Sequence, residues 1–206
     1  VILKDAIERA YVKAGWDLRN SRNKYSDQLF PDFMDVLQQI DTVMEQSQYS
    51  DENKSDYKGA LSTRLRSLTN GINHLIFTND EISGTELFDR NVIIDLSRIG
   101  SSETKCLILG LLVMKLQEHR MTFCDDMNAA LSHVTVLEEA HNLLKRTSTE
   151  QSFEGSNLAG KSVEMLTNAI AEMRTYGEGF IIVDQAPALL DMAVIRNTNT
   201  KIIMRL

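Results

Sequence analysis

The sequence is poor in the residues that mark several special classes of protein. It has 2 prolines and 10 glycines among 206 residues, too few for a collagen-like or low-complexity chain. The 2 cysteines, Cys106 and Cys124, show no pairing or metal-ligand spacing, which indicates a reducing compartment. The longest apolar run, 106–114, is about half as long as a membrane span. We therefore expect no membrane helix and a cytoplasmic location.

Basic residues are fewer than acidic ones, with 22 Lys and Arg against 29 Asp and Glu. The formal net charge is -7 and the sequence pI is about 5.1, so the chain as a whole does not attract nucleic acid or anionic lipid. A local basic surface is still compatible with this balance. Hydrophobic residues make up 43% of the chain, which is enough to form a sizeable core in one compact domain or one domain with an insert.

The first part of the sequence is helical in pattern. Apolar residues recur every three or four positions from residue 1 to about 72, with a polar stretch at 46–56 that we interpret as a connecting loop. We assign residues 1–88 to a helical region or insertion.

From residue 89 onward, strands and helices alternate. Short apolar runs rich in β-branched residues predict strands at 91–96, 134–137, 179–183 and 201–206. Helical patterns occupy 105–120 and 163–173, and another helix is expected to begin at Glu139. Such alternation predicts an α/β fold with a mainly parallel sheet covered by helices on both faces, over residues 89–206. Because the chain begins with Val1 and ends in a strand pattern, we expect it to be a fragment of a longer protein.

Two adjacent carboxylates directly follow one predicted strand. Glu138 and Glu139 come after the apolar run 134–137, and ligands of parallel sheets bind beyond the carboxyl ends of the strands. In nucleotide hydrolases, a first acid at such a position holds Mg²⁺ and a second polarises the attacking water. The same pair is compatible with two acids that only open a helix, where carboxylates interact favourably with the dipole. The pattern alone leaves both interpretations open.

Two further side chains suit phosphate chemistry, although each also has an ordinary structural explanation. Gln185 follows the strand 179–183, where it can contact a γ-phosphate or the lytic water, or only cap its loop. Arg174 can offer its charge across a subunit boundary, or only interact with a helix C-terminus. Taken singly, the structural explanation is favoured for both. The histidines lack zinc-site spacing and are interpreted as surface or helix-end residues: His74, His119, His133 and His141.

The segment from Gly155 to Ser162 matches the phosphate-loop pattern of glycine, four residues, glycine, lysine and serine. A working phosphate loop requires a buried strand that leads into it, so that backbone amides and a helix N-terminus face the phosphates. The preceding residues 145–154 are polar and do not suit such a strand. We therefore interpret the match as coincidental.

In combination, the motifs resemble those of one family. The segments that carry the resemblance include Glu138-Glu139-Ala140-His141, Arg174-Thr175-Tyr176-Gly177-Glu178-Gly179, Asp184-Gln185-Ala186-Pro187 and Asn197-Thr198-Asn199-Thr200-Lys201-Ile202. They are similar to the C-terminal part of a HerA-type ATPase, in the HerA/FtsK group of hexameric DNA-translocating motors. The opening residues 6–17 also resemble the helical region that follows the phosphate loop in that family. The resemblance spans most of the chain and is strongest over 92–206.

The resemblance implies a fold, a cofactor and a role for each site residue. It implies a RecA-like P-loop NTPase core that uses ATP and Mg²⁺. By position, Glu138 resembles the acid that holds Mg²⁺, here through a water, and Glu139 the catalytic base. Gln185 resembles the γ-phosphate sensor, and Arg174 the arginine finger given to the neighbouring subunit. Glu138 stands where aspartate is more usual.

The resemblance also sets expectations for the whole protein. The phosphate loop of the family would precede residue 1, so the fragment alone is expected to be inactive and to form a monomer or an irregular oligomer. The parent would be a hexamer that moves duplex DNA, with a nuclease or another effector protein as a further partner. Two alternatives stay open: a nucleotide-independent assembly or partner-binding module, and a phosphotransferase that uses the segment from Gly155 to Ser162.

Overall fold

The computed structural model describes residues 2–47, 51–71, 73–124, 128–146 and 158–204. The chain divides into two compact units, Val1–Glu81 and Ile82–Leu206. This division falls seven residues before the boundary after residue 88 that the sequence pattern predicts. The helix at Gly84–Phe88 packs on the long helix of the second unit, which explains why the division falls before it.

The first unit is mainly helical. Its elements are α1 (Ile2–Lys13), β1 (Trp16–Asp17), β2 (Arg22–Asn23), α2 (Phe33–Gln46), α3 (Asp51–Thr69) and α4 (Asn73–Ile76). Ala6 and Ala10 of α1 are buried in a cluster with Ile40 and Met44 of α2, since small side chains let the two helices approach closely. The aspartate before α2, Asp32, accepts hydrogen bonds from the first turn and forms a capping box.

The second unit holds a small parallel sheet against helices. Its elements are α5 (Gly84–Phe88), α6 (Ser102–Phe123), β3 (His133–Glu138), α7 (Leu158–Met173), β4 (Glu178–Val183) and α8 (Met192–Asn197). Strands β3 and β4 run parallel, in a register that pairs His133 with Glu178 and Glu138 with Val183. The predicted strands 134–137 and 179–183 and the predicted helices 105–120 and 163–173 are thus confirmed.

One face of this sheet carries the core of the second unit. Leu137 and Ile182 contribute to a cluster with α6 and α7, in which Leu144 and Met173 have no exposed surface. The side chains that alternate with them form the opposite face: Val134, Val136, Ile181 and Val183. These four residues are between 41% and 54% exposed. The expectation of a sheet covered on both faces is therefore not met by the described residues.

Two predicted strands are wrong. Residues 91–96 and 201–204 form neither helix nor strand, and Ile93 and Ile203 are 95% and 94% exposed. Their β-branched composition suits a strand, but a strand also needs a neighbour to accept its hydrogen bonds, and the described residues supply none. Residues 205 and 206 lie outside the described part. The chain is thus mixed α/β and mostly helical, and its described residues do not form a RecA-like parallel sheet.

Smaller differences concern where helices begin. The helix expected from Glu139 is only a short 3₁₀ turn, Ala140–Asn142, because Glu139 itself has a left-handed backbone (φ 49°). The polar stretch 46–56, expected to be a loop, contains the start of α3 at Asp51. The short β1–β2 hairpin is not indicated by the sequence pattern. None of the described helices is both long and apolar enough to span a bilayer.

Candidate functional site

The carboxyl ends of β3 and β4 bring three of the predicted site residues to one edge of the sheet. Glu138 ends β3 opposite Val183, the last residue of β4. Glu139 and Gln185 follow these strand ends, and the side chains of all three predicted residues are exposed. Because neighbouring strands lie about 4.8 Å apart, the acidic pair and the glutamine share one open edge.

The backbone of Glu139 is held in an unusual conformation. Its φ and ψ angles are 49° and 45°, in the left-handed region that costs a non-glycine residue roughly 1–2 kcal/mol. The Asn142 side chain donates a hydrogen bond to Glu139 Oε2 at 3.2 Å. A sharp turn directly after the strand therefore presents the second carboxylate at the edge, instead of continuing into a helix.

A side-chain pair that the sequence analysis did not identify ties the two strand ends together. The carboxylate of Asp184, only 3% exposed, accepts hydrogen bonds from the His141 backbone N–H at 2.8 Å and from His141 Nδ1 at 2.9 Å. Its other oxygen accepts from the Ala186 N–H at 2.7 Å. The sequence pattern instead predicts a surface or helix-end position for His141. Its pairing depends on β3 and β4 being neighbours, which the sequence does not show.

The hydrogen bonds to Asp184 determine its protonation. Burial raises the pKa of this carboxyl, but the Ala186 and His141 backbone N–H groups and the His141 ring outweigh burial, so the pKa of Asp184 lies below its ordinary value. An ionised Asp184 can only accept, so Nδ1 of His141 carries the proton of their shared hydrogen bond.

The lowered pKa makes the stability contribution of Asp184 depend on pH. A carboxyl with a depressed folded-state pKa stabilises the protein above its unfolded-state pKa of about 3.9 and loses that contribution as the pH falls through the folded-state pKa. We expect the difference in unfolding free energy between wild type and Asp184→Asn to be largest above about pH 5 and to shrink below about pH 4. Urea denaturation across this range measures it. A difference that stays constant down to the lowest pH contradicts the assignment.

Arg174 lies at the opposite end of the sheet. It is an exposed residue of the 3₁₀ turn Arg174–Tyr176, which precedes β4. A six-residue strand is about 17 Å long, so Arg174 is not brought to the edge that carries Glu139 and Gln185 of its own chain. The turn is anchored by Gly177 (φ 79°), where a Cβ would lie 2.5 Å from the Ala130 carbonyl oxygen.

A buried charge network stabilises this amino end of the sheet. Glu178, with a fully buried side chain, accepts hydrogen bonds from Arg120 Nε at 2.8 Å, Thr135 Oγ1 at 2.7 Å and His133 Nδ1 at 2.8 Å. Both of its carboxylate oxygens are therefore satisfied. Burial of this kind is tolerated only when a charge has such partners.

Arg120 extends the network to α5. Its guanidinium donates to Asp89 Oδ1 at 2.6 Å and to the Phe88 carbonyl oxygen, and His119 Nε2 lies 3.0 Å from Asp89 Oδ2. Although burial alone lowers it, the pKa of Arg120 is raised by its hydrogen bonds to Glu178 and Asp89. The network connects α5 and α6 to both strands. We interpret it as structural because its charges are paired with one another.

Removing Glu178 is expected to destabilise the protein strongly. Glu178→Ala leaves the Arg120 guanidinium buried beside only one carboxylate, and losing one partner of a buried pair costs about 3–5 kcal/mol. Glu164→Ala, at an exposed glutamate of α7, is the matched control and should change the unfolding free energy by less than about 0.5 kcal/mol. Chemical denaturation measures both variants. Equal, small losses in the two would show that the network contributes little.

The structure gives less information about the predicted Mg²⁺ site and the phosphate-loop match. Among the described residues there is no group of three or more His, Cys, Asp or Glu side chains that could hold a metal ion. Mg²⁺ in nucleotide sites often uses one or two carboxylates together with phosphates, and an exposed Glu138 at the strand end fits that donor set. The phosphate-loop match begins at Gly155, outside the described residues, and only the backbone of its last part, within α7, is described.

Comparisons with known proteins do not assign the chain to a family. The chain matches no protein-family model, no curated protein and no solved structure.

Proposed function

We propose that this chain is part of a HerA-type ATPase that uses ATP and Mg²⁺ to move duplex DNA. The observation that supports the proposal most is the parallel pairing of β3 with β4. It brings Glu138, Glu139 and Gln185 to one edge, as a site for a nucleotide at the carboxyl ends of parallel strands requires.

Each residue then has a role set by its position. Glu139 accepts a proton from the water that attacks the γ-phosphorus, while the bond from that phosphorus to the β–γ bridging oxygen breaks and ADP leaves. Glu138 would hold Mg²⁺ through a water. Gln185 contacts the γ-phosphate or the lytic water. The bound metal ion supplies charge neutralisation of the phosphates.

Arg174 acts on a different site in this proposal. Since it lies at the other end of β4 from the acidic pair, it serves the nucleotide bound by a neighbouring subunit. A closed ring is one assembly that provides this arrangement, since each subunit then gives an arginine to the next through a heterologous interface. We propose a hexamer, as the resemblance implies, with duplex DNA and a nuclease or other effector as partners.

Exposed apolar segments support a larger RecA-like sheet in the full-length protein. The outer face of the β3–β4 sheet exposes four aliphatic side chains, and the apolar segments 92–94 and 202–204 are exposed as well. An apolar sheet face and unpaired β-branched segments are unfavourable in water. Additional strands and a covering helix in the full-length protein would bury all of them.

The test is ATP hydrolysis by the full-length protein, measured with and without Mg²⁺ and with and without duplex DNA. We expect hydrolysis that needs Mg²⁺ and is stimulated by duplex DNA. A full-length protein that binds no magnesium nucleotide would overturn the proposal and favour the assembly-module alternative. Loss of nucleotide binding in Lys161→Ala would instead favour the phosphotransferase that uses the segment from Gly155 to Ser162.

A further inference from the structure

One carboxylate, that of Asp184, joins the turn that follows β3 to the turn that follows β4. The Asp184 side chain accepts three hydrogen bonds, two from His141 and one from the Ala186 N–H, at 2.7–2.9 Å. One turn carries Glu139 two residues before His141. The other carries Gln185 directly after Asp184. The same carboxylate therefore fixes the backbone of both turns next to the proposed base and the proposed sensor.

The two segments are also joined by other contacts, which lie farther from the strand ends. The Asp191 N–H donates to the Leu144 carbonyl oxygen at 2.9 Å, and the Arg146 N–H donates to the Leu189 carbonyl oxygen at 2.7 Å. These backbone hydrogen bonds do not depend on the Asp184 side chain. Its removal should therefore loosen the strand ends without separating the segments.

The pairing also fixes the imidazole of His141. Nδ1 donates to Asp184, which selects the Nδ1–H tautomer of the neutral ring. An asparagine side chain can place its Nδ2 donor close to the position of Nδ1, but it has no counterpart of Nε2. This difference separates a positioning role, which needs only the donor, from a direct chemical role of Nε2.

From these contacts we propose that Asp184 and His141 are positioning residues that hold Glu139 and Gln185 in fixed relation to each other and to the bound nucleotide. The inference rests on the proposed ATPase function. Misplacement of reacting groups by about 1 Å can lower a rate by about 100-fold, so a link that only positions residues can still control turnover.

The kinetic test uses the full-length protein and four variants. Asp184→Ala and His141→Ala should lower kcat for ATP by about 10- to 100-fold with a smaller change in KM, because misplaced reacting groups mainly affect the transition state. His141→Asn should recover at least about fivefold over His141→Ala, since it restores the donor to Asp184. His74→Ala, at an exposed histidine of the first unit, is the control and should match the wild type.

The outcomes separate the possible roles. Unchanged kcat in both alanine variants overturns the inference. An asparagine variant as slow as His141→Ala also overturns it and indicates a direct role for Nε2. Thermal unfolding of each variant shows whether a slow variant is folded, and the KM-against-kcat comparison is restricted to folded variants.

A second readout does not depend on activity. In ¹⁵N-histidine NMR of the full-length protein, the His141 signal, assigned by its loss in His141→Asn, should show the Nδ1–H tautomer in the wild type and change in Asp184→Ala. If the wild type hydrolyses no ATP, the proposed function fails while this spectrum still reports on the pairing. A His141 signal that is the same with and without the Asp184 carboxylate overturns the pairing itself.

Discussion

The Glu139→Gln variant of the full-length protein is expected to hydrolyse ATP about 10²- to 10⁴-fold more slowly than the wild type, because an amide cannot accept the proton of the attacking water. Glutamine keeps the size of the side chain and can still accept the hydrogen bond that Asn142 donates. The left-handed turn and the fold should therefore persist. Binding of ATP should stay within a few-fold of the wild type, since the proposed base contacts water and not the phosphates.

Three properties of the Glu139→Gln variant are measured. Turnover is measured at saturating ATP, nucleotide affinity by titration with a fluorescent ATP analogue, and folding by thermal unfolding. Glu164→Gln, at an exposed glutamate of α7, is the matched control. Glu138→Gln should differ from both, because it should raise the Mg²⁺ concentration needed for half-maximal turnover. Normal turnover in folded Glu139→Gln would remove Glu139 from the proposed mechanism.

Local sequence patterns predicted two strands and two helices of the second unit, but not which strands are neighbours. The runs that became β3 and β4 and the helices α6 and α7 were recognisable because apolar spacing is a local property. The segment 91–96 has an equally β-like composition and yet forms no strand. Composition reports that a segment suits a pleated surface, whereas a strand also needs a partner, and partners are set by the tertiary fold.

The candidate site likewise contains residues that local sequence predicts and residues that only the tertiary fold reveals. Glu138, Glu139 and Gln185 were predicted from the rule that ligands bind beyond strand ends, which needs only strand positions. The contact between His141 and Asp184 required knowledge that β3 and β4 are neighbours. The buried glutamate of the charge network, Glu178, could not be recognised either, because its burial depends on Arg120, 58 residues earlier in the chain.

The position of Arg174 changes how the candidate site has to be tested. In the sequence, Arg174 precedes Gln185 by only eleven residues. In the structure, β4 separates them by its full length of about 17 Å. If Arg174 contributes to hydrolysis, it does so at a site whose acidic pair belongs to another subunit.

The Arg174→Ala variant should therefore lower kcat by about 10³- to 10⁵-fold, the effect of removing an arginine that stabilises phosphoryl-transfer charge. Its side chain is exposed, so the fold should be unaffected. Arg174→Lys should recover little, because a lysine lacks the planar fork that contacts phosphate oxygens in pairs.

Mixing the inactive variants tests whether the site is shared. When Arg174→Ala and Glu139→Gln subunits assemble at random in equal amounts, about a quarter of the interfaces combine an intact Glu139 with an intact neighbouring Arg174. Turnover should rise from near zero toward about a quarter of the wild-type value, provided that intact interfaces act independently. Mixing Arg174→Ala with the double variant forms no interface that has the arginine, and it should stay inactive. Since β4 keeps Arg174 away from its own acidic edge, recovery in the first mixture alone identifies the arginine as one that acts between subunits.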